Sequence, residues 1–237
     1  TRAQHLASHS LALKLISEAD NLAREGRIEE ATDAYSEAKD INNQTKINPQ
    51  TRAREVFSNQ LLSEGKQFIH KRNFELAISR FIEAHKLKER SDQISKKNAA
   101  EDFLTEVKRL VINGEIYDSV RAYRHLIKIG LGDRISAADW NSLCWGGGLH
   151  NEARLIMFAC KKAFEIDPKN PDIRDSRGLA RALTGDTKGA IEDFKFFVEE
   201  TSYKDLRAER QEWIESMENG ISPFNSESLK LLLDREI

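Results

Sequence analysis

Cys144, His150 and Cys160 are the residues whose types could do covalent or metal chemistry. A thiol beside a histidine can be activated as a nucleophile, and two thiols with an imidazole can hold part of a zinc site. No CxxC or HExxH spacing accompanies them, so no metal ligand set is assigned and no cofactor is expected. Both cysteines fall where a helical repeat wants small buried residues, and a buried free cysteine behaves as a small hydrophobe. The structural reading is therefore the stronger, with the Cys/His enzyme as the lesser alternative. Gly146-Gly147-Gly148 could suggest a phosphate loop, but such a loop ends in GK[ST], and here Leu149-His150 follows. The run is expected to be a tight link closing a short helix. Arg174, Arg177 and Arg181 recur on one helical face. They form either an anion- or carboxylate-binding cluster or an ion-pair network with Asp175, Glu165 or Asp167.

The elements that must position these residues are helical. In 237 residues there are 4 Pro and 12 Gly, with 32% charged and 39% apolar residues. That composition is poor in turn-formers and supports a core, which excludes a sandwich, a barrel or a disordered chain. A net charge of −2 and pI near 6.3 give no basic stripe, so no nucleic-acid partner is expected. No apolar run reaches the ~18 residues of a membrane span. Two cysteines do not make a disulfide framework, and they read as reduced thiols of a cytoplasmic protein. The chain opens Thr1-Arg2-Ala3-Gln4 without Met, as a piece of a longer protein would.

Aligned with itself, the chain repeats. Segments 26–41, 72–87, 114–129 and 185–200 each begin with a polar turn followed by a small residue (Ala31, Ala77, Ser119, Ala190). One turn on comes an aromatic (Tyr35, Phe81, Tyr123, Phe194), then Ala38, Ala84, Leu126 or Phe197. Steps of four and three put these on one helical face. The small residue lets two helices approach and the aromatic fills the gap between neighbouring hairpins. Partner helices are expected upstream at 11–24, 59–71, 99–113 and 172–184, with Gly26, Gly114 and Gly185 stopping three of them. A divergent unit covers 140–171 and ends Ala163-Phe164-Glu165-Ile166-Asp167-Pro168. Polar stretches 42–51 and 88–98 lengthen the early period and read as loops or extended helix ends. After Glu200, an amphipathic helix at 204–218 and a last helix capped by Ser226 and bearing Leu229, Leu231, Leu232 and Leu233 are expected to close the array.

This pattern resembles the tetratricopeptide repeat. The resemblance implies an all-α fold of tetratricopeptide-like helical hairpins forming a right-handed α-solenoid with C-terminal capping helices. The expected segments are 1–135 (three long-period hairpins), 136–203 (the irregular unit and the arginine-bearing unit) and 204–237 (capping helices). Such arrays bind extended peptides in the concave surface of their first helices, which maps onto Asp20, Asn59, Ser63, Lys66, His70, Glu101, Thr105 and Lys108. Lys66 and Lys108 hold equivalent positions and form either a basic stripe for an acidic segment or two solvated helix positions. Ile16 and Asp20 depart from the Lys/Asn pair of the two-carboxylate clamp, which disfavours that ligand. The combination WNSLCW, ACKKAFEIDP, IRDSRGLARALTGD, QEWIE and GISPF also resembles the C-terminal tails of cyanobacterial signalling proteins with caspase-like, WD-repeat or STAND modules. It implies a scaffold binding a peptide or protein, as a regulatory or sensor tail, with other domains of the parent chain as candidate partners. An oligomerisation module is the alternative.

Overall fold

The computed structural model describes residues 2–235 except 44 and 90, with the side chains of residues 2, 3 and 5 left aside. Among the described residues there are helices and no strands: α1 (Arg2–Arg24), α2 (Ile28–Ile41), α3 (Pro49–His70), α4 (Phe74–Lys86), α5 (Asp92–Ile112) and α6 (Ile116–Lys128). After a short 3-10 turn (Gly132–Arg134) follow α7 (Ala137–Leu149), α8 (Ala153–Ile166), α9 (Pro171–Thr184), α10 (Thr187–Glu200), α11 (Lys204–Glu218) and α12 (Ser226–Asp234). The fold is all-α, with five helical hairpins followed by two C-terminal helices. It divides into two compact units, residues 1–103 and 104–237, with the division inside α5. The expected segments 1–135, 136–203 and 204–237 follow repeat spacing, whereas the two units follow packing.

The long early period comes from long first helices. α1, α3 and α5 have 23, 22 and 21 residues, against 13 and 14 for α7 and α9. In the stretch 88–98 residues 92–98 are the start of α5, whereas in 42–51 only residues 49–51 are helical. Asn48 caps α3, its side chain accepting from the Thr51 amide, and Pro49 follows at the first helical position. Residues 44 and 90 of those stretches lie outside the described residues. Gly185 ends α9 at φ +90 with open space around it, so its role is backbone conformation alone. In the second hairpin Arg72 takes the left-handed conformation at φ 58, and its guanidinium donates to the Ile69 and His70 carbonyls at the helix end.

In the second and fifth hairpins a glycine of the first helix and an aromatic ring of the second meet. Ala19/Tyr35, Gly65/Phe81, Val107/Tyr123 and Gly178/Phe194 stand 16 residues apart, the separation of Cys144 and Cys160. A Cβ on Gly65 would lie 2.9 Å from the Phe81 ring, and one on Gly178 would lie 2.8 Å from the Phe194 ring. The aromatic is thus seated on its own hairpin's first helix as well as on the neighbouring hairpin. Phe194 also meets Trp213 of α11, with ring centroids 5.4 Å apart.

In the fourth hairpin the sizes are exchanged. Leu22, Phe68 and Leu110 face the small residues Ala31, Ala77 and Ser119 in register, and the fourth hairpin has Gly147 and Ile156 at these places. A Cβ on Gly147 would come within 2.6 Å of Ile156, one on Gly146 within 2.2 Å of Val111 in α5, and one on Gly148 within 3.1 Å of Leu179 in α9. The glycine run is therefore not the expected link. It is the last part of α7, where three neighbours approach the backbone from three directions. We expect Gly147→Ala to destabilise the protein by about 1–3 kcal/mol through overpacking, measured by urea denaturation. Added to Ile156→Ala it should cost much less, because the second change empties the space the new methyl needs.

Candidate binding groove and the buried ion-pair network

The register implied for the groove puts Asn59, Ser63, Lys66 and His70 on α3, and all four are exposed. Ser58, Leu61, Gly65 and Ile69, on the other faces of the same helix, are buried. Glu101, from the first part of α5, is exposed in the same unit. Asn59 also borders an open polar cleft of about 530 Å³ with Arg54, Glu55 and Lys88. Asp20 stands apart from this set. Its carboxylate accepts from the Tyr35 hydroxyl and from Arg52 at 3.2 Å, and its side chain is 19% exposed. Burial and the Asp20 carboxylate push the Tyr35 hydroxyl up to about 12, so it stays a donor to Asp20.

Thr105 and Lys108 belong to the second unit. Lys108 Nζ lies 2.7 Å from Asp139, whose side chain is 15% exposed, so the lysine already has a carboxylate. Lys66 and Lys108 fall in different units. Asp139 also caps α7: its carboxylate accepts from the Ser136 amide and hydroxyl, completing a capping box. Tyr123 donates to the Asp139 carbonyl at 2.8 Å, which ties the aromatic of the third hairpin to the start of the fourth. Burial alone would raise Asp139, but Lys108 and Ser136 outweigh it and hold the carboxyl below the usual aspartate range. A carboxyl lowered in the folded state contributes stability that is full above its unfolded value and is lost as pH falls through the folded one. Asp139→Asn is therefore expected to flatten the acid side of the stability profile, read from urea midpoints between neutral pH and the acid limb.

The arginine face is engaged within the chain, with Arg177 buried and Arg174 and Arg181 about one-quarter exposed. Arg177 donates to both Asp193 oxygens, at 2.8 and 2.6 Å, and Asp193 is fully buried. Arg181 reaches Asp193 at 2.9 Å and Asp186 at 3.3 Å. Arg174 lies 3.6 Å from Asp193, donates to the Pro168 carbonyl, and sits over the Phe164 and Phe196 rings. The carboxylate at the centre is thus Asp193 of α10, rather than the expected Asp175, Glu165 or Asp167. Asp175 instead pairs with Arg210 of α11 at 2.9 and 2.8 Å. In the second hairpin Glu64 and Arg80 hold the positions of Arg177 and Asp193, with the charges reversed, at 3.0 Å. That pair is about one-third exposed on both sides. Removing one partner of a buried pair strands the other, so Asp193→Asn should cost about 3 kcal/mol or more in chemical denaturation. Arg80→Ala should cost under about 1 kcal/mol for its ion pair, because solvent screens it.

Cys144 and Cys160 are bonded to each other, contrary to the reduced thiols expected. They occupy the register of the glycine–aromatic contact, where the helices come nearest, and their Cα atoms are 4.9 Å apart. Both are fully buried, so neither sulfur is an accessible nucleophile in this form. His150 terminates α7 and lies against Gly114, and its buried Nε2 has no hydrogen-bond partner among the described residues. The bonded pair also removes reduced thiols as an argument for a cytoplasmic setting. Among the described residues no helix is long and apolar enough to cross a membrane, and no cluster of potential metal ligands occurs.

No protein-family model matches the chain, and no curated protein matches it. Among solved structures, it is similar to the TPR domain of P58(IPK), at 16% identity and a TM-score of 0.46, over 88% of this chain and 56% of that one. It is also similar to the TPR2AB domain of yeast Sti1 in its pHSP90 complex, at 15% identity and a TM-score of 0.38, over 86% of this chain and 95% of that one. The chain spans just over half the length of the first of these structures.

Proposed function

We propose that the chain is a protein-binding module rather than an enzyme, and that it takes a peptide or protein partner on the faces of its first helices. The observation that carries this reading is the two-sided character of α3. Its core-facing residues are buried, while Asn59, Ser63, Lys66 and His70 form an exposed polar face. Exposed polar side chains spaced by helical turns offer an extended segment repeated hydrogen-bonding positions. Lys108 is paired with Asp139, so a basic stripe of Lys66 and Lys108 for an acidic segment is not part of this reading. Arg174, Arg177 and Arg181 are assigned to holding the fifth hairpin together, not to an external anion. The resemblance to tails of caspase-like, WD-repeat and STAND proteins supports a regulatory or sensor role within a larger signalling chain. A cytoplasmic setting belongs to the proposal through that resemblance only.

The test is affinity capture with the full chain and with a Ser63→Glu/Lys66→Glu/His70→Glu variant of equal helicity. Partners specific to the wild type should bind the variant at least about tenfold more weakly. Equal capture by both would remove α3 as the binding face.

A further inference from the structure

The expected closing helix does something other than cap the end. α11 packs on α10, covering the last hairpin, whereas α12 packs on α7, which lies earlier in the unit. The repeat register shows which face of α7 this is. Trp145 and Leu149 hold the positions of Lys66 and His70, and Leu179 and Leu183 hold them in α9. All four belong to, or pack against, the apolar cluster that contains Leu229 and Leu232 of α12, with Leu233 beside it. The face that is polar and open on α3 is therefore apolar in the fourth and fifth hairpins, and α12 lies against it.

The fit is of one chemical kind. Leu229, Leu232 and Leu233 follow helical spacing and point inward, while Lys230, Leu231 and Asp234 are exposed. Next to Leu233 the groove continues as an apolar cavity of about 220 Å³ that α12 leaves unfilled, bordered by Ile112, Trp145, Gly146 and Leu149. α12 is only nine residues long, a length at which a helix has little stability of its own. Its cap is local, Asn225 accepting from the Glu227 and Ser228 amides rather than the expected Ser226 cap. Arg235 reaches Glu209 from an exposed position, a contact of small weight. Just before the cap, Phe224 is anchored between Phe194 and Trp213, so α12 has a fixed point from which to swing.

We propose that the α7–α9 face of the second unit is a docking groove for an amphipathic, leucine-bearing helix of a partner protein, and that α12 is a latch the partner displaces. A partner helix one turn longer than α12 gains the cavity beside Ile112, which gives it an advantage over the latch. The proposal rests on the binding-module reading and names the partner class for one part of that surface.

The probe is a fluorescein-labelled peptide of residues 223–235, measured by anisotropy against the full chain and against a Leu229→Glu/Leu232→Glu chain. The opened chain should bind the peptide at least about tenfold tighter than the wild type. A peptide lengthened at its C-terminal end by one turn carrying Leu and Phe should bind tighter still, and Ile112→Glu in the opened chain should remove that increment. Equal affinity for wild-type and opened chains, or no binding by an opened chain of native helicity, overturns the latch. Wild-type dimers in sedimentation that vanish in the Leu229→Glu/Leu232→Glu chain would give the groove to a second copy and overturn the partner helix. If the opened chain fails to fold, hydrogen exchange on the wild type decides. Amides of Leu229–Leu233 exchanging about a hundredfold faster than those of Leu143–Gly147 support the latch, and exchange of both only in global unfolding overturns it. Loss of the latch result with α3-dependent capture intact sinks this inference and leaves the binding module standing.

Discussion

Along the described residues a second helix repeatedly lies close against its first helix, and much of the packing follows from how that approach is made possible. An aromatic ring needs a hollow, and at Gly65 below Phe81 and Gly178 below Phe194 the hollow is a missing side chain 16 residues earlier. The packed ring removes a large apolar area from water, worth about 1.5–3 kcal/mol for a fully buried side chain of this size. The fourth hairpin keeps the approach but changes its chemistry. Cys144 and Cys160 replace the small residue and the ring, and a covalent bond stands where ring contact stood. Next to it, Gly147 and Ile156 exchange the usual sizes across the interface. Total volume is kept while the side supplying it changes, a compensation that close-packed interiors allow.

The same register carries a charge pair. In the second hairpin Glu64 and Arg80 meet at the edge, about one-third exposed. In the fifth the polarity is reversed and the pair is sealed in, with Asp193 bound by Arg177 and Arg181 and with Arg174 and Arg177 over the Phe164 ring. Bidentate geometry and added hydrogen bonds are what make burial of such a group tolerable. Three cations gathered on one carboxylate, together with Arg210 on Asp175, use guanidinium groups that would otherwise be available to a ligand. A concentration of arginine on a helix therefore marks an internal joint between α9, α10 and α11.

Groove polarity changes along the chain by the same logic of registered positions. Lys66 and His70 keep the face of α3 wet, whereas Trp145, Leu149, Leu179 and Leu183 make the corresponding face of the second unit apolar. An apolar face of that extent calls for a cover, and a short leucine helix from the chain's own end supplies it. The first unit offers polar positions directly, while the second offers an apolar face already occupied.

Much of the helical framework was legible in the residues. The small–aromatic–small steps located α2, α4, α6 and α10, and 204–218 marked α11 end to end, because 3.6-residue periodicity is a local property of an amphipathic helix. The exposed positions on α3 also followed from alignment of the repeats. A signal for the Cys144–Cys160 bond was present as well, since its separation equals that of the packed pairs, but only the facing of two helices gives that number meaning. What tertiary structure alone decided were the partners. Asp20 turned to Tyr35 and Arg52, Lys108 to Asp139, the arginines to Asp193, and α12 to α7 rather than the end of the array. Residue type fixes what a side chain can bond to, and periodicity fixes which face it occupies. Which complementary group arrives on that face is set by contacts distant in sequence, and no local pattern contains them.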